Sequence, residues 1–274
     1  MVSNYFECLD TPIEEYHGVY VKREDLCAPP DAPPFSKIRG LMKHLKQLKE
    51  EGVEGVAYVE TSISMAGWGV AWACFQLGLK CLIFNPVYKV PISLLLFHRS
   101  QWKQWGADII DVPAGRAKVN YYIARRQLPA GYRLLPLGLP LSETITETSA
   151  VAKKCLEPYR SIIVCVGSGT IAAGLFQATQ PGQTLYGVLS RSGNVAVKRK
   201  HITEGILFPH FTRGDLHLID MGWEYSAHCG TPVPFPCHPY YDAKAWEWLK
   251  DNKDGKRIQP PVLFWNIGAE GKKE

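Results

Sequence analysis

Apolar positions fall at helical spacing in some stretches of this chain and in unbroken runs in others. From Pro33 to Glu51, "PPFSKIRGLMKHLKQLKEE", the residues Ile38, Leu41, Met42, Leu45 and Leu48 recur every three or four positions. That spacing predicts a helix starting at Ser36 and Lys37 with one buried face. Short apolar runs predict strands at 19–22, 55–60, 80–86, 108–112, 161–166, 184–190, 215–220 and 262–266. Helical patterns stand between several of them, at 66–77, 92–105, roughly 116–127 and 239–249, and a helix follows the strand at 161–166. Continuous apolar strands are expected where helices cover both faces of a sheet, so the pattern predicts an α/β fold with mostly parallel sheets. Residues 229–239, "CGTPVPFPCHP", are proline-rich and predict a loop. One feature runs against local preference. Lys37 stands at the positive end of a helix dipole, the unfavourable end for a cation.

Composition changes this picture little. The 274 residues are 46% hydrophobic and 21% charged, enough for a large core in one or two domains. No apolar run is long enough for a membrane span, and "MVSNYFECLD" lacks the basic start and apolar core of a secretory signal. The eight cysteines form no CxxC pair and several lie in strand-like runs, which predicts reduced thiols in a cytoplasmic protein. The formal charge of +5 is compatible with an anionic ligand and does not by itself imply nucleic acid.

Three stretches carry candidate chemistry. In "VCVGSGTIAAGL" (164–175) a strand runs into Gly167-Ser168-Gly169-Thr170 and then a helix. Backbone N–H groups of such a loop, backed by a helix N-terminus, make an anion site. A plain strand-to-helix turn is the simpler alternative. A dinucleotide-binding reading also stands, because Gly167-x-Gly169-x-x-Ala172 approximates that fingerprint and Arg191 could meet a 2′-phosphate of NADP. The second stretch is "YVKREDLCAPPDAPPFSKIRGL", which sets Lys37 after a strand and a long loop; the third is "PYYDAKAWEWL" (239–249), with Tyr241 and Asp242 at a helix start. His228-Cys229 and Cys237-His238 bracket the proline-rich loop. Their spacing matches no standard zinc motif and adjacent ligands strain the geometry, so no metal is expected.

Taken in order, these stretches resemble the pyridoxal-phosphate (PLP) enzymes of fold type II, the tryptophan-synthase-β type, and within them the branch of aminocyclopropanecarboxylate deaminase and D-cysteine desulfhydrase. The branch carries "VKREDL…GGNKxRKL", "GSGGTxAGL" and "DPVYxGKA", where this chain has "VKREDL…FSKIRGL", "GSGTIAAGL" and "HPYYDAKA". The likeness runs from Val21 to Gly268. It implies a large PLP-binding domain formed by residues 1–51 and 136–274, with a small α/β domain, 52–135, inserted. It implies that Lys37 bears the cofactor as a Schiff base and that Gly167, Ser168, Gly169 and Thr170 hold its phosphate. It places Tyr241 in the site and Asp242 opposite the pyridine nitrogen, where an acid strengthens the electron sink. The helix-end penalty at Lys37 then has a use, because burial and the dipole both favour the neutral amine that Schiff-base chemistry requires.

Departures from the family pattern shape what to expect. The branch's "QSNH" falls on Ile63-Ser64-Met65-Ala66, which keeps Ser64 as a catalytic candidate but replaces the asparagine at the cofactor's 3-oxygen with Met65. "HTGG" becomes Asn266-Ile267-Gly268-Ala269. The link from Gly230 to Tyr241 is shorter than in relatives, which implies a wider mouth and a larger substrate. The expected activity is therefore a lyase or deaminase-like enzyme that breaks a bond at Cα of an amino acid or amino-acid-bearing molecule, by decarboxylation, deamination or elimination. Enzymes of this type also act in bacteriophage pathways that hypermodify thymine, so an aminoacyl-modified thymine in DNA is a second substrate reading, with the basic run Lys198-Arg199-Lys200 as its contact. A homodimer is the assembly the resemblance implies.

Overall fold

The structure is a computed structural model, and it describes residues 8–115, 117–205, 213–255 and 257–271. Among the described residues, ten strands form two sheets. The larger contains β1 (Ile13–Tyr16), β2 (Val19–Arg23), β7 (Ser161–Val166), β8 (Thr184–Leu189), β9 (Asp215–Ile219) and β10 (Val262–Asn266), in the order β1-β2-β10-β7-β8-β9. Only β1 runs antiparallel, against β2. The smaller sheet is wholly parallel, in the order β5-β4-β3-β6, from β3 (Gly55–Val59), β4 (Lys80–Val87), β5 (Asp108–Pro113) and β6 (Tyr132–Leu134).

Among the described residues, eight helices pack around these sheets: α1 (Ile38–Glu50), α2 (Ala66–Leu77), α3 (Ser93–Gln104), α4 (Ala117–Arg126), α5 (Ser142–Lys153), α6 (Thr170–Ala178), α7 (Val195–Glu204) and α8 (Asp242–Asn252). The expected α/β class with parallel sheets flanked by helices is what the chain forms. Every residue of β3, β7 and β10 is buried, as the unbroken apolar runs required. β1, β6 and α5 lie where no element was anticipated. α5, "SETITETSAVAK", is rich in Ser, Thr and Glu, so its apolar stripe is thin. It is held by close packing instead. A Cβ on Gly40 of α1 would fall 2.2 Å from the backbone nitrogen of Thr144, so only glycine lets α1 and α5 approach this closely.

The core lies on both faces of both sheets. α1, α2 and α3 cover one face of the small sheet with Leu41, Leu45, Trp72 and Trp102, and α4 covers the other with Ala124. Trp265 and Phe264 of adjacent β10 positions point to opposite faces of the large sheet. Both Trp72 and Trp265 are fully buried. The three-residue 3-10 turn Glu24–Leu26 after β2 carries a buried ion pair, Glu24 with Arg39 at 2.8 Å, that ties the turn to α1 just beyond Lys37.

Candidate active site

A cavity of ≈ 550 Å³ opens where the C-terminal ends of β3 and β7 meet, lined from both sheets. Such a crevice outside the carboxyl ends of parallel strands is where α/β folds take ligands. Of the anticipated site residues, Lys37, Ser64, Gly167, Ser168, Gly169, Tyr241 and Asp242 all line it. Thr170 is buried directly behind the loop, its hydroxyl 2.8 Å from that of Ser168.

Lys37 immediately precedes α1 and its carbonyl accepts the first helical bond, from the Leu41 N–H at 3.0 Å. Its position is fixed from across the chain. The Ser36 N–H donates to the Ile267 carbonyl (2.9 Å), and Phe35 bridges to Gly268. The Lys37 ammonium donates to the Gly138 carbonyl and, at 2.9 Å, to the Ser168 hydroxyl. No carboxylate among the described residues pairs with it. Burial, reinforced by the Lys198 cation, pulls its pKa down to about 7. The helix-end cation that was anomalous in the sequence is thus an amine poised between its two protonation states at neutral pH.

The loop between β7 and α6 is shaped for an anion. Gly169 has φ +101°, which glycine adopts without strain. The Lys198 ammonium, reaching back from α7, donates to the carbonyls of Gly167 (2.6 Å) and Ser168 (3.3 Å). In a trans peptide the N–H points opposite to the carbonyl. With both carbonyls turned toward Lys198, the N–H groups of Ser168 and Gly169 turn the other way, and neither has an acceptor among the described residues. Free N–H groups at a helix start, with a cation beside them, form a cradle for a phosphate.

Asp242 begins α8 and is fully buried. Its Oδ1 accepts the Ile267 N–H at 3.0 Å, while Oδ2 has no partner. Burial pushes its carboxyl well above the usual carboxylate range. A buried, unpaired carboxyl oxygen beside a cavity is costly unless a donor arrives from a ligand. A protonated pyridine nitrogen is such a donor. Together with the amine of Lys37 and the cradle at 167–170, this makes the residues present fit PLP.

Tyr225 and Glu60, which local sequence patterns did not single out, and His238, weighed there only as a zinc ligand, complete the site. Tyr225 bonds to Thr61 (2.9 Å) and to Tyr241 (3.2 Å), so a chain of hydroxyls spans the cavity from the loop after β3 to α8. Glu60 at the end of β3 is buried and accepts the N–H groups of Thr61 (2.7 Å) and Gly67; burial raises its carboxyl to about 8. His238 lines the cavity with Nε2 unpaired, held neutral by burial with a pKa of about 3. Ser64 accepts the Ala66 N–H at 3.0 Å, so its hydroxyl helps start α2 as well as lining the cavity.

The run Lys198-Arg199-Lys200 does not present one basic face. Lys198 turns inward, Arg199 donates to the Leu216 carbonyl (3.0 Å), and Lys200 sits 3.6 Å from Glu204. The weighed zinc ligands do not converge either. His228 packs edge-on against Tyr240, Cys229 approaches Glu247 at 3.6 Å, and no cluster of three metal-ligating side chains occurs among the described residues. All eight cysteines are free thiols. No helix among the described residues is long and apolar enough to cross a membrane.

Known proteins resemble this chain in sequence and in fold. The family described as "Pyridoxal-phosphate dependent enzyme" matches residues 7–220. The glycyl-dTMP PLP-dependent decarboxylase of Pseudomonas phage M6 is 36% identical over 279 residues, covering 94% of this chain and 98% of that protein. Among solved structures, a homologue of ACC deaminase superposes with a TM-score of 0.78 at 21% identity, over 96% of this chain and 90% of its own. A PLP-dependent aspartate racemase gives 0.64 at 16% identity, over 97% and 91%. These structures share the fold. The NADP reading of residues 164–191 leaves Lys37 and Asp242 without a role, whereas the PLP reading uses both. The chain belongs to the pyridoxal-phosphate dependent enzymes, with the type II fold.

Proposed function

We propose that this enzyme removes the carboxyl group from a glycyl-modified thymine nucleotide, the substrate named for its phage relative. The observation that carries the cofactor half of the reading is the buried Asp242 with its unpaired Oδ2 at the cavity. The substrate half is supported by the near full-length likeness to the phage decarboxylase.

In this reading Lys37 holds the cofactor, the N–H groups of Ser168 and Gly169 and the hydroxyls of Ser168 and Thr170 hold its phosphate, and Asp242 pairs with its ring nitrogen. PLP, when bound, supplies an electron sink conjugated with the substrate's amino group. The protein's share is placement and proton handling. The overall change replaces the Cα–carboxylate bond by a Cα–H bond, so CO2 leaves and one proton is taken up. Lys37, with a pKa of about 7, can carry that proton to Cα at neutral pH. Tyr225, Tyr241 and Thr61 form a chain of hydroxyls across the cavity that can orient the substrate. Glu60, raised to about 8, is mostly protonated at neutral pH and adds little repulsion beside an anionic substrate.

Sheet membership supports a division into a cofactor domain, residues 1–51 and 136–274, and an inserted domain, 52–135, since every strand from Gly55 to Leu134 lies in the small sheet. A homodimer and a cytoplasmic location belong to the proposal through the family likeness, and sedimentation of the purified holoenzyme checks the first. The reaction is tested by incubating holoenzyme with glycyl-dTMP in deuterated water. Loss of CO2 with one deuterium gained at Cα is expected. Release of ammonia instead, or no change, would refute decarboxylation.

A further inference from the structure

We propose that Asp25, in the stretch "VKREDL", is a positioning residue: acting through Asn266, it fixes Lys37 and Asp242 relative to each other. The inference rests on the cofactor roles given above to those two residues and is independent of the substrate.

Glu24 and Asp25 stand side by side in the 3-10 turn after β2, and both are buried. They grip different parts of the chain. Glu24 takes the guanidinium of Arg39, two residues past Lys37, by bonds of 2.8 and 3.1 Å, which holds the first turn of α1. Asp25 forms a two-pronged pair with Arg23, at 2.9 and 2.8 Å, and its Oδ1 also accepts from Nδ2 of Asn266 at 2.8 Å. A bidentate guanidinium holds a carboxylate in one orientation, so the acceptor offered to Asn266 has a fixed direction.

Asn266 is the last residue of β10 and is fully buried. Its amide nitrogen also donates to the Pro236 carbonyl, at 2.9 Å. An ion-paired carboxylate and a carbonyl only accept, so the amide nitrogen has to face them. That orientation leaves Oδ1 of Asn266 without a partner. A buried orphan acceptor is costly, so the side chain is held here for what it donates to.

The contacts that follow from Asn266 lie at the site. Ile267, the next residue, faces both ways. Its carbonyl accepts the N–H of Ser36, immediately before Lys37, at 2.9 Å, and its N–H donates to Oδ1 of Asp242 at 3.0 Å. Ala269 extends the same seam by donating to the Pro34 carbonyl at 3.1 Å. Pro236 lies two residues before His238, whose carbonyl accepts the N–H groups of Tyr241 (3.1 Å) and Ala243 (3.2 Å) where α8 begins. One buried carboxylate thus reaches Lys37 through Ile267, and Asp242 through Ile267 and the start of α8. Neither Asp25 nor Asn266 lines the cavity, so their action runs through these bonds.

The test reads the visible circular dichroism of the holoenzyme per bound PLP, because a ring held in one orientation between Lys37 and Asp242 gives a signal that a loosely seated ring loses. Asp25→Asn and Asn266→Ala should each lower that signal at least about twofold with cofactor content near wild type, and the double variant should lose no more than the worse single one, since both act through one bond. Asn266→Ala leaves the Arg23–Asp25 pair intact, so it carries the test alone if Asp25→Asn does not fold. Glu14→Gln is the control. Glu14 holds the other side of Arg23 at 2.6 Å, so this variant should keep the wild-type signal whatever it does to melting temperature. Full signal in Asp25→Asn and Asn266→Ala, with only melting temperature lowered, would make the network structural and overturn the proposal. Additive losses in the double variant would overturn the route through Asn266. An equal loss in Glu14→Gln would assign the effect to Arg23 and overturn the proposal as well. The decarboxylase reading stands or falls separately. Spectral losses in an enzyme that leaves the glycyl-modified thymine unchanged keep the role of Asp25 and remove the reaction. Full spectra in variants of an enzyme that does decarboxylate it keep the reaction and remove that role.

Discussion

The strands β7 and β3 both end at the cavity and both run through a short loop into a helix, yet the two loops treat negative charge in opposite ways. After β7, Lys198 takes the loop carbonyls and the N–H groups of Ser168 and Gly169 are left free. After β3, the protein supplies its own anion. Glu60 takes the N–H groups of Thr61 and Gly67, and the start of α2 is closed to an external phosphate. One helix start is open to a ligand and the other is filled from within. The first wall thus suits the cofactor's phosphate. The second, with Glu60, Ser64 and Met65, the last standing where the related branch carries asparagine, is left to face the substrate.

The largest expected effect tests Lys37, which lines the same cavity as both walls. Lys37→Ala should lower turnover by roughly 10³-fold or more and abolish the visible absorbance of the bound cofactor, with melting temperature little changed. Activity near wild type would remove Lys37 from the chemistry. Next comes Asp242→Asn. Asparagine can still accept the Ile267 N–H but cannot hold a charge beside the ring nitrogen, so kcat should fall on the order of 10²–10³-fold while the cofactor stays bound. A change in melting temperature without loss of rate would make Asp242 only a helix start.

Two further experiments separate the walls. Gly169→Asp sets a carboxylate against the phosphate and forces φ +101° on a residue with a Cβ, so cofactor affinity should fall by roughly 10–100-fold. Met65→Asn, on the other wall, should change it less than about threefold and alter KM instead. Equal losses would mean that both walls serve the cofactor. Glu60→Gln then probes the internal anion through stability. The Glu60 carboxyl is raised by burial from 4.5 to about 8, so the folded state binds the extra proton across that window. Its contribution is fully present below pH 4.5 and is lost as pH rises through about 8. In apoenzyme the melting temperature of wild type should decline over this range, and Glu60→Gln should flatten the decline.

The smallest effect concerns Lys198. Neutral Lys37 amine is required for cofactor capture, so the rate of PLP uptake by apoenzyme should rise with pH around a midpoint of about 7. Lys198→Met removes the neighbouring cation, which raises the pKa of Lys37 and moves that midpoint to higher pH. An unmoved midpoint would leave burial as the whole cause.

The parts of the site legible in the sequence are those written in consecutive residues. Gly167 to Thr170 and the lysine before α1 announce themselves because a positive φ, a helix start and a misplaced charge are local events. Residues that act at a distance left no local trace. Tyr225 meets Thr61 from across the chain, and Lys198 sits in a basic run whose members face three different ways. Period alone could not tell which of three cations turns inward. Glu60 read as the last residue of a strand, since its role depends on α2 returning over it. α5 escaped notice because its hold on the fold is the close approach at Gly40 rather than an apolar stripe.

The position of β10 has a consequence for how this enzyme comes into being. Residues 262–266 insert between β2 and β7, in the middle of the large sheet. Until the ribosome has released them, the strands from residues 19–23 and 161–166 have no shared neighbour, and Ile267 is not yet there to receive Ser36 or to meet Asp242. The small sheet, closed within residues 55–134, can assemble first. With Lys37 in its proposed role, the lysine stays unset until Ile267 is in place, and cofactor capture is expected only after β10 has docked. Adding PLP to ribosome-bound chains stalled before and after residue 267 would show that timing directly.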